Sequence, residues 1–135
     1  MRKQAVWSLV LAAACGSPLN ATFKGTSPQP VSFTLKCTAA AADSLGYKVQ
    51  GGDNANTMTA IHKDSAVAPY EDGREEKLTA VGKDAKDGSS SLTVSGATYS
   101  LKWTRIGLEI QEIPASERVK GDAKTLAARC GGAAP

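Results

Sequence analysis

Residues 97–104 read Ala97-Thr98-Tyr99-Ser100-Leu101-Lys102-Trp103-Thr104, the stretch on which the fold turns. Apolar and polar side chains alternate through it, and a period of two is the signature of a strand with one dry and one wet face. The alternation predicts that Ala97, Tyr99, Leu101 and Trp103 face the core, with Trp103 serving as packing rather than as a ligand platform. Upstream, Leu92 and Val94 lie across Ser95-Gly96, which reads as a tight turn or bulge. Downstream, Leu108 and Ile110 continue into a further strand that Pro114 ends.

Moving outward, Lys77–Val81 reads as another strand, closed by the polar stretch 83–88. Tyr47–Gln50 and Thr57–Lys63 form a hairpin pair across Gly51-Gly52-Asp53-Asn54, a dense turn signal. Residues 64–76 are polar, with Pro69 and Gly73, and read as a loop. Val31–Leu45 carries Val31, Leu35, Thr38, Ala42 and Leu45 at helical spacing, with Gly46 as a left-handed stop and Tyr47 placed for the contact that accompanies such stops. Its first half could instead be a strand, since Val31, Phe33 and Leu35 alternate. Near the C-terminus Ser116 caps a helix in which Val119, Ala123, Leu126, Ala127 and Cys130 share one stripe, before Gly131 and Gly132. The expectation is an α+β domain: an antiparallel sheet of four to six strands packed on one face by an N-terminal and a C-terminal helix. In element order alone it is similar to the helix-grip modules of envelope lipoproteins such as those of the outer-membrane barrel-assembly machinery.

At 135 residues the chain has room for one domain. Aromatics make up only 5% of it, so the core must come from small aliphatic side chains. Met1-Arg2-Lys3 is a short positive stretch, and Ala5 to Ala14 is apolar except for Ser8. Such a run is too short to cross a bilayer core, which takes about 20 residues, but suits the apolar region of an export leader. Without Arg2 and Lys3, the 16 basic side chains become 14 against 13 acidic ones, close to neutral. A nearly neutral chain with no basic stripe argues against nucleic acid as a partner.

Leu11-Ala12-Ala13-Ala14-Cys15 resembles the lipobox of bacterial lipoproteins, over residues 1–16. The usual pattern puts Leu three residues before the Cys; here Ala12 holds that place and Leu11 sits one step earlier. The resemblance implies a signal peptide over 1–14, cleavage before Cys15, a diacylglyceryl group on its sulfur and a further acyl chain such as palmitate on its amine. Gly16 is not the Asp that often retains such proteins in the inner membrane. The implied address is therefore the bacterial cell envelope, lipid-anchored at the outer membrane and facing the periplasm. Ordinary cleavage after Ala12-Ala13-Ala14 is the alternative. Residues 15–30, rich in Ser, Thr, Pro and Gly, read as the lipidated N-terminus and a flexible tether, leaving 31–132 as the domain. Lipidation would consume Cys15 and leave Cys37 and Cys130 as a disulfide clamping the first helix to the last.

Chemistry-bearing residues are few. His62 is the only histidine. Asp64 and Ser65 follow it, but residues so close in sequence rarely converge, and no Gly-x-Ser-x-Gly elbow is present. His62 shares a strand face with Met58 and Ala60, so it is expected at a sheet edge or in packing contact, away from any cleft. Glu71, Asp72, Glu75 and Glu76 are interleaved with Arg74 and Lys77 and read as a solvated loop. One histidine and two paired cysteines cannot furnish a zinc set, and no glycine motif cradles a phosphate, so neither a metal nor another cofactor is expected. The expectation is a non-enzymatic, membrane-anchored envelope protein that binds another envelope protein, peptidoglycan or a small ligand. The alternatives are a secreted or anchored hydrolase using His62 and a purely structural lipoprotein.

Overall fold

A computed structural model of the chain describes residues 18–51, 55–64 and 73–131. The leader 1–14, Cys15, Gly16, the turn residues 52–54, the stretch 65–72 and Gly132 lie outside them. The elements are β1 (Ala21–Ser27), α1 (Val31–Ser44), β2 (Lys48–Gly51), β3 (Thr57–Asp64), β4 (Gly73–Asp84), β5 (Ser90–Thr104), β6 (Gly107–Ile113) and α2 (Glu117–Gly131). The fold is α+β: six antiparallel strands in the order β1-β5-β4-β3-β2, with β6 also on β5, and two helices.

β5 is the spine of the sheet. On one side it pairs with β4 from Ser90 to Leu101. On the other it pairs first with β1, from Ser90 to Gly96, and then with β6, from Thr98 to Thr104. The β4 register runs through Ser95-Gly96 without a break, so the turn or bulge expected there is absent. Gly96 has another cause: a Cβ at this position would stand 2.8 Å from the Val119 carbonyl oxygen and 3.3 Å from the Ala123 Cβ. The residue is glycine because α2 crosses the strand there.

The helices cover the face that carries Leu92, Val94, Gly96 and Thr98. Register carries the same face to Leu78 and Ala80 of β4 and to Met58 and Ala60 of β3. These residues join Val31, Leu35 and Ala42 of α1 and Val119, Ala123, Leu126 and Ala127 of α2 in one apolar core. Ala97, Tyr99, Leu101 and Trp103, read from the sequence as core-facing, therefore point away from the helices. Ala97 and Leu101 are still buried within the sheet's outer face, whereas Trp103 is 41% exposed.

Two boundaries also move. The stretch read as a tether contains β1, whose Ala21 and Phe23 pack partly against the core while Thr22, Lys24 and Thr26 face solvent. Short, small and polar residues hid that alternation, and the folded region begins before Val31. The loop expected over 64–76 is strand from Gly73 onward, because Glu76 continues the inward stripe of Leu78 and Ala80.

α1 forms as its spacing predicts, with Val31 and Leu35 inward and Phe33 outward. Pro30 offers no capping side chain, and the first-turn Val31 N–H instead donates to Asp84 Oδ1 at 2.9 Å. At its other end Gly46 (φ 93°) and Tyr47 donate their N–H groups to the Asp43 and Ala42 carbonyls, closing a Schellman stop. Ser116 caps α2, its Oγ accepting the Val119 N–H at 3.2 Å. The Cys37–Cys130 disulfide joins α1 to the last turn of α2 with a Cα–Cα distance of 5.6 Å.

Candidate functional site

The inward face of β3 and β4 changes character at one end of the sheet. Past Ala60 and Leu78, the next paired residues are His62 and Glu76. Glu76 is only 6% exposed, and a carboxylate taken out of water must be repaid by partners. The N-terminus of α2 brings them. Ser116 donates its hydroxyl to Glu76 Oε2, and its own N–H goes to Thr98 Oγ1 at 2.9 Å. Arg118 Nε stands 3.9 Å from Glu76 Oε1 and 3.7 Å from Asp122 Oδ2.

Tyr47 completes the cluster from the end of α1. Its hydroxyl donates to Asp122 Oδ2 at 2.8 Å, its ring lies 5.8 Å beneath the Arg118 guanidinium, and the His62 ring sits 5.7 Å away at a tilt of 55°. Burial, reinforced by the bond to Asp122 and by the nearby negative charge of Asp122 and Glu76, holds the Tyr47 hydroxyl well above its ordinary pKa. It stays protonated and remains a donor. Arg118 also donates to the Leu45 carbonyl at 3.4 Å, tying α2 to the α1 stop.

His62 occupies the boundary between this cluster and solvent. Its Nδ1 is buried, 3.9 Å from Glu76 Oε1, and has no hydrogen-bond partner among the described residues. The outer part of the ring borders a cleft of about 490 Å³ lined by Gly46, Lys48, Gln50, Ile61, His62 and Lys63. The expectation that His62 would lie away from any cleft is therefore corrected. The register of β2 with β3 ends at Lys48 opposite Ile61, one residue short of His62. With Lys48, an amide and an imidazole on its walls, and Lys63 held 3.8 Å from Glu75, the cleft is suited to a carboxylate or another anion.

The sequence-read constellation of His62, Asp64 and Ser65 is not assembled by anything described, since Ser65 and the Asp64 side chain lie outside. Among the described residues, the hydroxyl that shares a carboxylate with His62 is that of Ser116. It is committed twice, donating to Glu76 and accepting from Val119 N–H. The acidic stretch is no solvated loop where it is described: Glu75 and Glu76 are strand residues on opposite faces, Glu75 pairing with Lys63 at 3.8 Å. Among the described residues no group of three or more His, Cys, Asp or Glu side chains could hold a metal. No described helix is long and apolar enough to cross a membrane.

Sequence reading missed Tyr47, Glu76, Arg118 and Asp122 as site residues. Arg118 and Asp122 are legible as an i,i+4 ion pair on a helix. Glu76 was findable by extending the Leu78–Ala80 alternation two residues upstream. Neither a protein-family model nor a curated protein matches the chain.

Proposed function

We propose that the chain is an exported lipoprotein of the bacterial envelope, anchored through Cys15, whose domain is a non-enzymatic binding module. The observation that carries this reading is the Cys37–Cys130 bond. Disulfides persist in oxidising compartments, and this one accounts for two of three cysteines, leaving Cys15 at the lipobox-like sequence. The cleft beside His62 supports the binding role, its Lys48 and Lys63 fitting a carboxylate-bearing ligand such as the peptide stems of peptidoglycan. Intact-mass analysis of the mature protein tests the anchor: the expected N-terminus is an acylated Cys15, and Cys15→Ser abolishes the acylated species. Co-sedimentation with purified peptidoglycan tests the ligand. Lys48→Glu with Lys63→Glu should lower binding several-fold, and equal binding by that variant would remove the cleft from the reading.

A hydrolase using His62 is the second reading, favoured by the placing of the imidazole at the cleft with Glu76 behind it. A hydrolase screen of the purified protein decides it, turnover lost in a folded His62→Ala variant being the outcome that would replace the first reading.

A further inference from the structure

We propose that the β5–β6 hairpin is a second membrane contact, resting on the phospholipid surface that holds the Cys15 anchor; the inference builds on the lipid-anchored reading. Four of the seven exposed large apolar side chains among the described residues are in this hairpin: Trp103 at 41%, Ile106 at 98%, Leu108 at 43% and Ile110 at 58% exposure. Register sets Trp103 opposite Leu108 and Leu101 opposite Ile110, so they form one stripe on the face away from the helices. The tip is a built turn. Gly107 takes φ 127°, and the Thr104 hydroxyl donates to the Gly107 carbonyl at 2.8 Å, which presents Ile106 to solvent. Lys102 and Arg105 flank the tip, with Glu109 opposite Lys102 in the register. Tryptophan, aliphatic tips and flanking cations together suit the interface of an anionic bilayer.

Chain length ties this surface to the anchor. The Leu19 carbonyl accepts the Ala115 N–H at 2.9 Å, just past the end of β6. Cys15 to Leu19 is four residues, which span at most ~14 Å when extended. From Ile113 to the tip at Gly107, β6 covers about 20 Å. A lipid on Cys15 thus holds the base of the hairpin close to the bilayer, within a distance comparable to the hairpin's own length. The β4–β5 turn at Asp87 lies at the opposite end of the sheet.

The test places a polarity-sensitive dye on Ile106→Cys or, as reference, on Asp87→Cys, in the full chain with Cys37–Cys130 intact. The acylated protein is reconstituted in vesicles of mixed zwitterionic and anionic phospholipid. The expected result is a blue-shifted dye at 106, quenched by lipid-borne quenchers, with a water-like dye at 87. Adding Lys102→Glu and Arg105→Glu should weaken the quenching several-fold. A water-like dye at 106 in the vesicles overturns the proposal. So does shielding without lipid that grows with protein concentration, which assigns the stripe to a second copy of the chain. The Cys15→Ser chain added to the same vesicles separates the two readings. Quenching at 106 in that variant shows a hairpin contact that stands without the anchor, whereas a wild-type chain whose mass shows no acylation ends the anchor and leaves the hairpin contact to be judged on the dye alone.

Discussion

Tyr47 and Asp122 are joined by a hydrogen bond of 2.8 Å across 75 positions of sequence, linking the stop of α1 to the second turn of α2. The donor is nearly inaccessible, and the acceptor also faces Arg118 at 3.7 Å. Removing the hydroxyl leaves Asp122 with Arg118 as its remaining ion-pair partner in the cluster. Tyr47→Phe is therefore expected to lower stability by about 1–2 kcal/mol, measured by urea unfolding near neutral pH. An unchanged midpoint would show that the bond is offset by water in the unfolded chain.

The same pair sets an alkaline limit. Unfolded, Tyr47 titrates near its ordinary 10.0; folded, burial and Asp122 keep the proton on to higher pH. The folded state then binds more protons than the unfolded state above that value, so stability falls with rising pH. The contribution is complete below pH 10 and declines above it. Urea midpoints from about pH 8 to 11 should converge between wild type and Tyr47→Phe. Parallel curves would mean that Tyr47 ionises alike in both states. Tyr99, raised by burial and by Glu112 and Glu75, adds a slope common to both proteins.

Gly96 and Gly121 should respond oppositely to alanine. At Gly96 the methyl would meet the Val119 carbonyl at 2.8 Å, pushing α2 off the sheet at a cost of about 1–3 kcal/mol. At Gly121 nothing lies within 4 Å and the residue is inside α2, so alanine should stabilise by roughly 0.5–1 kcal/mol. Thermal melts of the two variants, together with the wild type, check both signs.

Ser116 caps α2 and supplies the hydroxyl to Glu76, so Ser116→Ala removes two interactions at once. The cap alone contributes about 1 kcal/mol, and the buried carboxylate raises the loss to roughly 2–3 kcal/mol. Ser116→Ala combined with Glu76→Gln should cost less than the sum of the single changes. A strictly additive pair in a double-mutant cycle would separate the two roles.

Replacing both bridged cysteines by serine should cost up to about 4–5 kcal/mol, the loop-closure value for a separation of 93 residues. Urea unfolding of the oxidised protein against the double variant measures it.

The fold class, both helices and strands β2, β3 and β6 were legible because each carries a period and a stop, whereas the first residues of β4 read as loop. What misled was a change of parity within β5. Leu92 and Val94 occupy even positions, while Ala97, Tyr99, Leu101 and Trp103 occupy odd ones. A sheet with one buried face cannot accommodate both, so the switch reads as a turn. The strand instead runs straight, buries its first half beneath the helices and turns its second apolar stripe outward, where none of the described helices cover it. The Glu76 cluster stayed hidden for another reason. Its members come from α1's stop, β4 and α2, and only a register of pairings brings Tyr47, Glu76 and Arg118 together.

The covalent loop from Cys37 to Cys130 contains every strand except β1. If the protein is held by its N-terminus, tension enters through Ala21 and opens the β1–β5 pairs one after another toward Ser27. It then unwinds α1 only as far as Cys37, where the cross-link carries the load. Released, those 16 residues reach at most about 55 Å end to end, a leash of fixed length while the rest of the sheet keeps its shape.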